Sequence, residues 1–458
     1  MIARAAPFRI AIIHPAIGRH AGQDGYVRTW QMESLPAAVL AALCPKDCAI
    51  TFLDDRLERV PRDLAADLAL IPIETYTARR AYQIASDLRR NKVPVVMGGF
   101  HATLCPDEVA RYADTVVVGE AEGILAEVID DWRHGRSKRR YQAAKRPSLA
   151  GIAPDRSIFA GRKYLPITLV ETARGCRFTC EFCAITATFR ATQTRRPPDE
   201  VVAELRRHAR PGRLVFLIDD NVISDRHGAK DLFRAMIGQG IRWIGQCSSD
   251  AALDPELLGL MRRSGCQGVL VGFESLDAED LRRMDKAFNL AGGGPRAAMT
   301  AFAKAGLRIY GTFVAGYDRD TPERIRERVA FAVDTGMFIA AFNHLTPFPG
   351  TPLYRRLEQE GRLRWPAWWL ADDYRYGDVP FVPRGMPPQE LAAACLDARR
   401  SFYGVRSIAR RAVMRQHWRD PLMWLYFVAI NAMHRRDVSG RDGLPLGDAA
   451  WTGTLIEA

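Results

Sequence analysis

Short apolar runs and helix-like stretches alternate along this chain in two successive series, and that alternation restricts the fold more than any other feature. In residues 8 to 132 the runs are Phe8–Ile13, Ala49–Leu53, Leu68–Ile73, Val93–Met97 and Thr115–Val118, with helical spacing over 33–43, 78–91, 106–112 and 121–132. In the second series, strands are expected at 166–171, 213–218, 241–247, 267–273, 307–315 and 337–345. Helices are expected there at 198–208, 226–238, 254–264, 295–305 and 320–335. Strand, helix and strand in sequence close as a parallel unit, so each series predicts a parallel α/β sheet with ligand at the carboxyl ends of its strands. The first reads as a doubly wound domain over 1–132 and the second as six strand–helix units over 165–349. Residues 133–164, basic and broken by Pro147, Pro154 and Gly161, read as a linker, and 350–458 as a mostly helical third region. The tryptophans Trp365, Trp368 and Trp369 cluster in that region, where core packing is expected of them more than pocket lining.

Three cysteines, Cys176, Cys180 and Cys183, fall within eight residues just after the run Pro166–Val170. They therefore occupy a loop at the carboxyl end of a strand, where α/β proteins place reactive centres. Iron–sulfur clusters are held by thiolates, normally four to a cubane, and the next cysteine is Cys247. One iron is then left open, which marks a catalytic site rather than a structural one. A zinc knot or buried thiols are the competing readings, with His208 the nearest downstream histidine, on a helix end. The nine cysteines are scattered, and Arg9 interrupts the only early apolar stretch, so neither a disulfide scaffold nor a secretory start is expected.

The three-then-two cysteine spacing, with Phe182 before the last, resembles the radical S-adenosylmethionine (SAM) superfamily. The resemblance implies an open (β/α)6 barrel and a 4Fe-4S cluster on Cys176, Cys180 and Cys183. It further implies SAM chelating the fourth iron through its amino and carboxylate groups, cleavage to a 5′-deoxyadenosyl radical, and Phe182 against adenine. Asp219, in Asp219-Asp-Asn221, is expected to meet the SAM ammonium, with helix capping left to Ser224 or Asp225. Gln246 and Ser248 are polar at the end of an otherwise apolar strand, and Glu274 in Val271-Gly-Phe-Glu-Ser275 is the position that contacts SAM in the family. Gly311–Gly316 is similar to the stretch that passes the adenine, with Asp318 in place of the usual acidic residue.

Upstream, Gly98-Gly-Phe-His-Ala-Thr103, then Pro106-Asp-Glu108, then Val118-Gly-Glu-Ala-Glu-Gly123 look like the Rossmann-like cobalamin-binding domain that precedes one class of radical SAM enzymes. By that resemblance Gly98, Gly99, His101 and Thr103 line a groove for the corrin edge and nucleotide tail, and Gly119 and Glu120 belong to the same site. The first loop, His14 to Trp30, is also glycine-bearing, with Gly18, Gly22 and Gly25. No Gly-x-Gly-x-x-Gly follows the first strand, which argues against a nicotinamide site. The Asp-x-His-x-x-Gly motif of mutase-type cobalamin proteins is absent as well. Its look-alike Asp225-Arg-His-Gly228 sits in the other domain, and no lower axial histidine is assigned.

Leu169-Val-Glu-Thr-Ala-Arg-Gly-Cys176 and Phe216-Leu-Ile-Asp-Asp-Asn221 look most like the subgroup that includes the hopanoid C-2 methylases. The expected activity is methyl transfer to an unactivated carbon of a small-molecule or lipid substrate, with flavodoxin or ferredoxin as electron donor. A radical cyclase or oxidoreductase that does not methylate is the alternative within the same architecture. The net charge of +12 raises a third class, an RNA-modifying or RNA-binding iron–sulfur protein. Methylthiotransferases of that kind carry a second cysteine triplet, which Cys44, Cys48 and Cys105 do not form, so nucleic acid is not an expected partner. The apolar stretch Pro421–Met433 is shorter than the about 20 residues needed to span a bilayer. The stretch 418–436 carries Trp418, Trp424, Tyr426 and Phe427 and ends in His434-Arg435-Arg436, and two readings stand for it. It is a packing helix, or a peripheral contact that holds a cytoplasmic protein to the inner membrane.

Overall fold

Both series of alternating elements form parallel sheets. The computed structural model describes residues 6–22, 31–210, 213–438, 440 and 442–457, so Gly25 and the rest of 23–30 lie outside the described residues. The chain divides into two units, Met1–Leu165 with Ala367–Tyr376 and Gly443–Ala458, and Pro166–Pro366 with Gly377–Asp442.

The first unit is built on strands β1 (Arg9–His14), β2 (Ala49–Asp54), β3 (Leu68–Pro72), β4 (Val95–Gly98), β5 (Thr115–Val118) and β6 (Arg140–Gln142). Their spatial order is β2-β1-β3-β4-β5-β6, every pairing parallel. Strand order reverses between β1 and β3, and a doubly wound sheet opens its ligand crevice at such a reversal. Ala11, Ile12 and Ile13 in β1, and Leu68 and Ala69 in β3, are fully buried, as strands covered on both faces must be.

The basic stretch 133–164 is not a linker. It supplies β6, in which Tyr141 is 4% exposed between Arg140 and Gln142 and donates its hydroxyl to Asp131 at 2.8 Å. Arg140 reaches Asp107, and Lys138 reaches Glu127 at 3.0 Å. One buried aromatic among charged residues is how a protected edge strand reads, and composition alone makes it look like solvated chain. Further along the stretch, Phe159 packs edge-on to Phe52 and Tyr164, at 5.7 and 5.5 Å.

Residues 350–458 do not form one body either. Ala367–Tyr376 belongs to the first unit, where Trp368 and Trp369 are buried and Trp368 lies 4.9 Å from Tyr76. Gly447–Asp448 pairs with Gly18–Arg19 in a two-stranded ladder, and Trp451 donates to Asp87 at 3.0 Å.

The second unit holds β7 (Ile167–Val170), β8 (Leu214–Leu217), β9 (Trp243–Cys247), β10 (Cys266–Glu274), β11 (Arg308–Ala315) and β12 (Ile339–His344). They lie in sequential order and all parallel, the open (β/α)6 arrangement. Asp225, Asp254 and Thr321 each accept a first-turn backbone N–H, which fixes where the helices Arg226–Met236, Pro255–Arg263 and Pro322–Asp334 begin. Helices Pro388–Phe402, Val405–Ala412 and Pro421–Asp437 complete the unit. They are tied to it by Tyr403, whose hydroxyl donates to Ala340 O at 2.8 Å, and by buried Arg411, which donates to Met337 O at 3.0 Å.

Candidate functional site

The loop after β7 is clamped to the end of β8 before it reaches its first cysteine. Thr172 donates its backbone N–H to Asp219 Oδ1 at 2.7 Å and its hydroxyl to Oδ2. Asp219 is 2% exposed, and burial, opposed by these hydrogen bonds, pushes its carboxyl up to about 6. Its carboxylate therefore braces the cysteine loop instead of standing open to an ammonium group, as the sequence reading placed it. Gly175, at φ 98°, donates to Asp220 Oδ2 at 2.7 Å, and its strand Ala173–Gly175 pairs antiparallel with Gln193–Arg195. Capping of the next helix falls to Asp225, which accepts from Gly228 N at 3.2 Å.

Cys176 Sγ accepts from Asn221 Nδ2 at 3.6 Å, and the same amide lies 3.2 Å from Ser248 Oγ. Gln246 donates to Asp220 O at 2.8 Å. Gln246 and Ser248 thus hold the 220–221 turn that holds the loop. Cys183 donates its backbone N–H to Cys180 O at 3.1 Å, and burial pushes the Cys180 thiol up to about 12. Among the described residues no three His, Cys, Asp or Glu side chains gather around one point in the way a single ion requires. In a cubane each thiolate takes a different iron and no common centre is needed, so three thiols on one braced loop fit that group.

Beside them lies a buried ion pair that the sequence reading missed. Glu274 ends β10 in the left-handed region, at φ 63°, where the register with β11 shifts. Its Oε1 is 2.8 Å from Lys286 Nζ, and the two side chains are 7% and 10% exposed. Lys286 also donates to Gly272 O at 3.2 Å and stands 5.8 Å from the Phe182 ring and 5.7 Å from Phe288. Burial lowers the ammonium's proton affinity, but Glu274 and the Cys180 side outweigh it, and the net direction is upward. Asn289 supports the strained turn with bonds to Gly272 O at 2.9 Å and Phe273 O at 3.0 Å. Asp318 is occupied by Arg283 at 2.8 Å and Arg362 at 3.2 Å.

In the first unit the predicted glycines stand at strand ends. Gly99 has φ 99°, and a Cβ there would lie 2.8 Å from Ile73 O, so no other residue fits. Thr103 Oγ1 donates to Gly99 O at 2.8 Å and accepts from Gly119 N at 2.9 Å, joining the loops after β4 and β5. A Cβ on Gly119, at φ 85°, would meet nothing within 4 Å, so the rim beside it is open. Glu120 is matched by Arg146, at 2.7 and 3.1 Å.

His101 does not line the groove. It is fully buried, with Nδ1 3.3 Å from Thr75 Oγ1 and Nε2 3.1 Å from Glu108 Oε1. Glu108, from the Pro106-Asp-Glu108 motif, also accepts from the Tyr82 hydroxyl at 2.8 Å and Trp369 Nε1 at 3.0 Å. Burial would raise this carboxyl, yet those donors hold it below its usual range. Sequence reasoning also passed over His14 and Glu74, which end β1 and follow β3 on either side of the strand reversal. His14 Nδ1 is 3.0 Å from Ser34 Oγ, and burial lowers the ring to about 4, while burial raises Glu74. Their position at or just beyond the carboxyl end of each strand was the available signal. Glycine-edged, open and backed by a matched carboxylate, this rim fits a large planar ligand.

Residues 170–332 match the radical SAM superfamily, and residues 31–129 match the B12 binding domain. The chain is similar to the bacteriochlorophyllide d C-12(1)-methyltransferase of Chlorobaculum tepidum, 28% identical over 402 residues that cover 85% of this chain and 86% of the relative. It is also similar to the hopanoid C-2 methylase of Rhodopseudomonas palustris, 26% identical over 388 residues, 81% and 71% of the two chains. In fold it is similar to the radical S-adenosylmethionine methyltransferase TsrM from Kitasatospora setae, solved with cobalamin and a 4Fe-4S cluster bound. The TM-score is 0.61 at 18% identity, over 77% of this chain and 75% of that one.

Proposed function

The chain belongs to the cobalamin-dependent radical SAM enzymes, and from that premise we propose which residues hold each cofactor and what class of molecule is methylated. The reaction is a C-methylation of a small molecule that uses a 4Fe-4S cluster, SAM and cobalamin. When bound, these cofactors supply a radical that takes a hydrogen atom from the substrate and the methyl group that replaces it.

In our reading Cys176, Cys180 and Cys183 hold the cluster, each giving up its thiol proton as it binds iron. Buried Lys286 offsets part of the negative charge that three thiolates bring into a desolvated place. Phe182 presents an apolar face for adenine. Glu274, fixed by the Lys286 that stands over the Phe182 ring, is assigned to SAM. Asp219, Gln246 and Ser248 act one step back, by holding Thr172, Asp220 and Asn221 in place. The backbones of Gly98, Gly99 and Gly119 form the edge that a corrin approaches, with Thr103 and Glu120 fixing that edge and His101 beneath it. A one-electron donor of the flavodoxin or ferredoxin kind completes the system. For the substrate we assign an extended, largely apolar molecule of the tetrapyrrole class, supported by the relative named for bacteriochlorophyllide methylation that matches 85% of this chain.

The observation that carries the reading is the three-thiol loop at the carboxyl end of the first barrel strand, with a glycine-edged rim in the domain before it. The test is anaerobic reconstitution with iron, sulfide and cobalamin, followed by methyl-labelled SAM and a bacteriochlorophyllide. Label in the tetrapyrrole with deoxyadenosine release is expected, both lost in Cys180→Ala. Deoxyadenosine without label in any product would sink methyl transfer as the outcome. Label in another acceptor, with the tetrapyrrole untouched, would remove the substrate class alone.

A further inference from the structure

The helix Pro421–Asp437 has two apolar stripes, and only one of them is covered. Met423, Phe427 and Asn431, spaced four apart, are 4%, 0% and 0% exposed. This face is locked. Phe427 packs edge-on to Phe338 at 5.3 Å, Asn431 Nδ2 donates to Phe338 O at 3.1 Å, and Asp420 caps the first turn through Met423 N at 3.2 Å. On the opposite face Leu422, Leu425 and Val428 are 38%, 58% and 37% exposed. A surface helix of a globular protein carries polar residues there.

The uncovered stripe continues beyond the helix. Trp418, 54% exposed, lies one turn before Leu422, and its indole donates to Val413 O at 3.2 Å, beside a Val413 that is 75% exposed. Six of the eleven large hydrophobic side chains exposed among the described residues fall between Val405 and Val428, so the exposure is concentrated in one stretch of the chain.

The charge around it is mostly positive. Between 405 and 437 the chain has seven arginines and two acids, Asp437 at the end of the helix and Asp420, which caps its start and pairs with Arg242 at 3.1 Å. Arg406, Arg415, Arg419, Arg435 and Arg436 are exposed and make no ion pair among the described residues. Arg410 is the exception, held by Asp334 at 3.0 Å. A helix of 17 residues is about 25 Å long, and no described helix is long and apolar enough to cross a membrane.

We propose that this face lies flat on an anionic lipid surface, with Val413, Trp418, Leu422, Leu425 and Val428 entering the acyl boundary and the unpaired arginines meeting the headgroups. The apolar stripe accounts for depth and the arginines for the choice of an anionic membrane over a second protein, whose surface would have to be equally apolar and strongly acidic. The inference stands on this surface alone, independent of the substrate assigned above.

The test is flotation of the purified full-length protein with phosphatidylglycerol-containing vesicles and with pure phosphatidylcholine vesicles, alongside Leu425→Asp and the double variant Arg435→Glu with Arg436→Glu. The wild type is expected to float with the anionic vesicles only, and to be released at high salt as the Debye length shrinks from about 10 to about 3 Å. Each variant should bind at least about tenfold more weakly at an unchanged melting temperature. Failure of the wild type to float, or flotation that neither variant weakens, overturns the proposal. A solution dimer that Leu425→Asp splits, without flotation, overturns it in favour of a second copy.

Discussion

A buried ammonium 2.8 Å from a buried carboxylate is a pair that neither partner can leave cheaply. Lys286→Met strands the Glu274 charge and Glu274→Gln strands the Lys286 charge, and either change is expected to cost about 3–5 kcal/mol in urea unfolding of the cluster-free protein. The double variant should recover most of that loss, because no unmatched charge remains, and strictly additive losses would show that the two do not act as a pair. Asp219 makes the pH prediction. Its folded carboxyl titrates at about 6, above its unfolded value, so between pH 4 and 6 the native state holds more protons than the unfolded state. Stability therefore falls as pH rises through that window, by about 3 kcal/mol, and is level above it. Asp219→Asn removes the slope, and denaturation midpoints of both proteins at stepped pH should converge as the pH falls toward 4. Parallel profiles would show that the carboxyl titrates in its ordinary range.

The strap Ala367–Tyr376 is held to the glycine rim's support through one indole. Trp369→Phe keeps an aromatic ring in place, with some loss of volume, and removes the N–H that Glu108 accepts, at an expected cost of at least about 1–2 kcal/mol. It should also weaken cobalamin binding by the apoprotein, read as the change in the corrin absorption spectrum on titration, since Glu108 holds His101 under that rim. Unaltered binding in a destabilised variant would limit the strap to a structural role. Elements of this kind were the hardest to see in advance. The inner strands were legible within a residue or two because they are covered on both faces and must be largely apolar, as Ala11–Ile13 and Val116–Val118 are. β6 was not, since an edge strand needs only Tyr141 buried and its exposed polar flanks look like loop. The cysteine loop and the glycine turns were legible from spacing, which fixes where backbone sits. Spacing does not say where side chains turn. Asp219 and His101 were found at the right places in the chain, yet Asp219 turns to the neighbouring cysteine loop and His101 inward, because Thr172 and Glu108 lie within hydrogen-bond reach. Lys286 gave no signal at all: its partner is twelve residues away across a left-handed turn that no local pattern announces.

At the scale of the molecule neither unit is a continuous piece of chain. The backbone passes from one to the other at 165/166, 366/367, 376/377 and 442/443. A fragment of residues 1–165 lacks Trp369 over Glu108 and Trp451 over Asp87, so it is expected to bind a hydrophobic dye and to melt without a sharp transition. A cooperative melt of that fragment matching one in the full chain would show that the added segments are ornament. In the cell the same threading orders events in time. The strands of the first unit leave the ribosome before those of the second, yet the unit lacks its Gly18–Arg19 ladder and the Trp451 contact until 443–457 have been made, so its completion waits for the whole of the second unit.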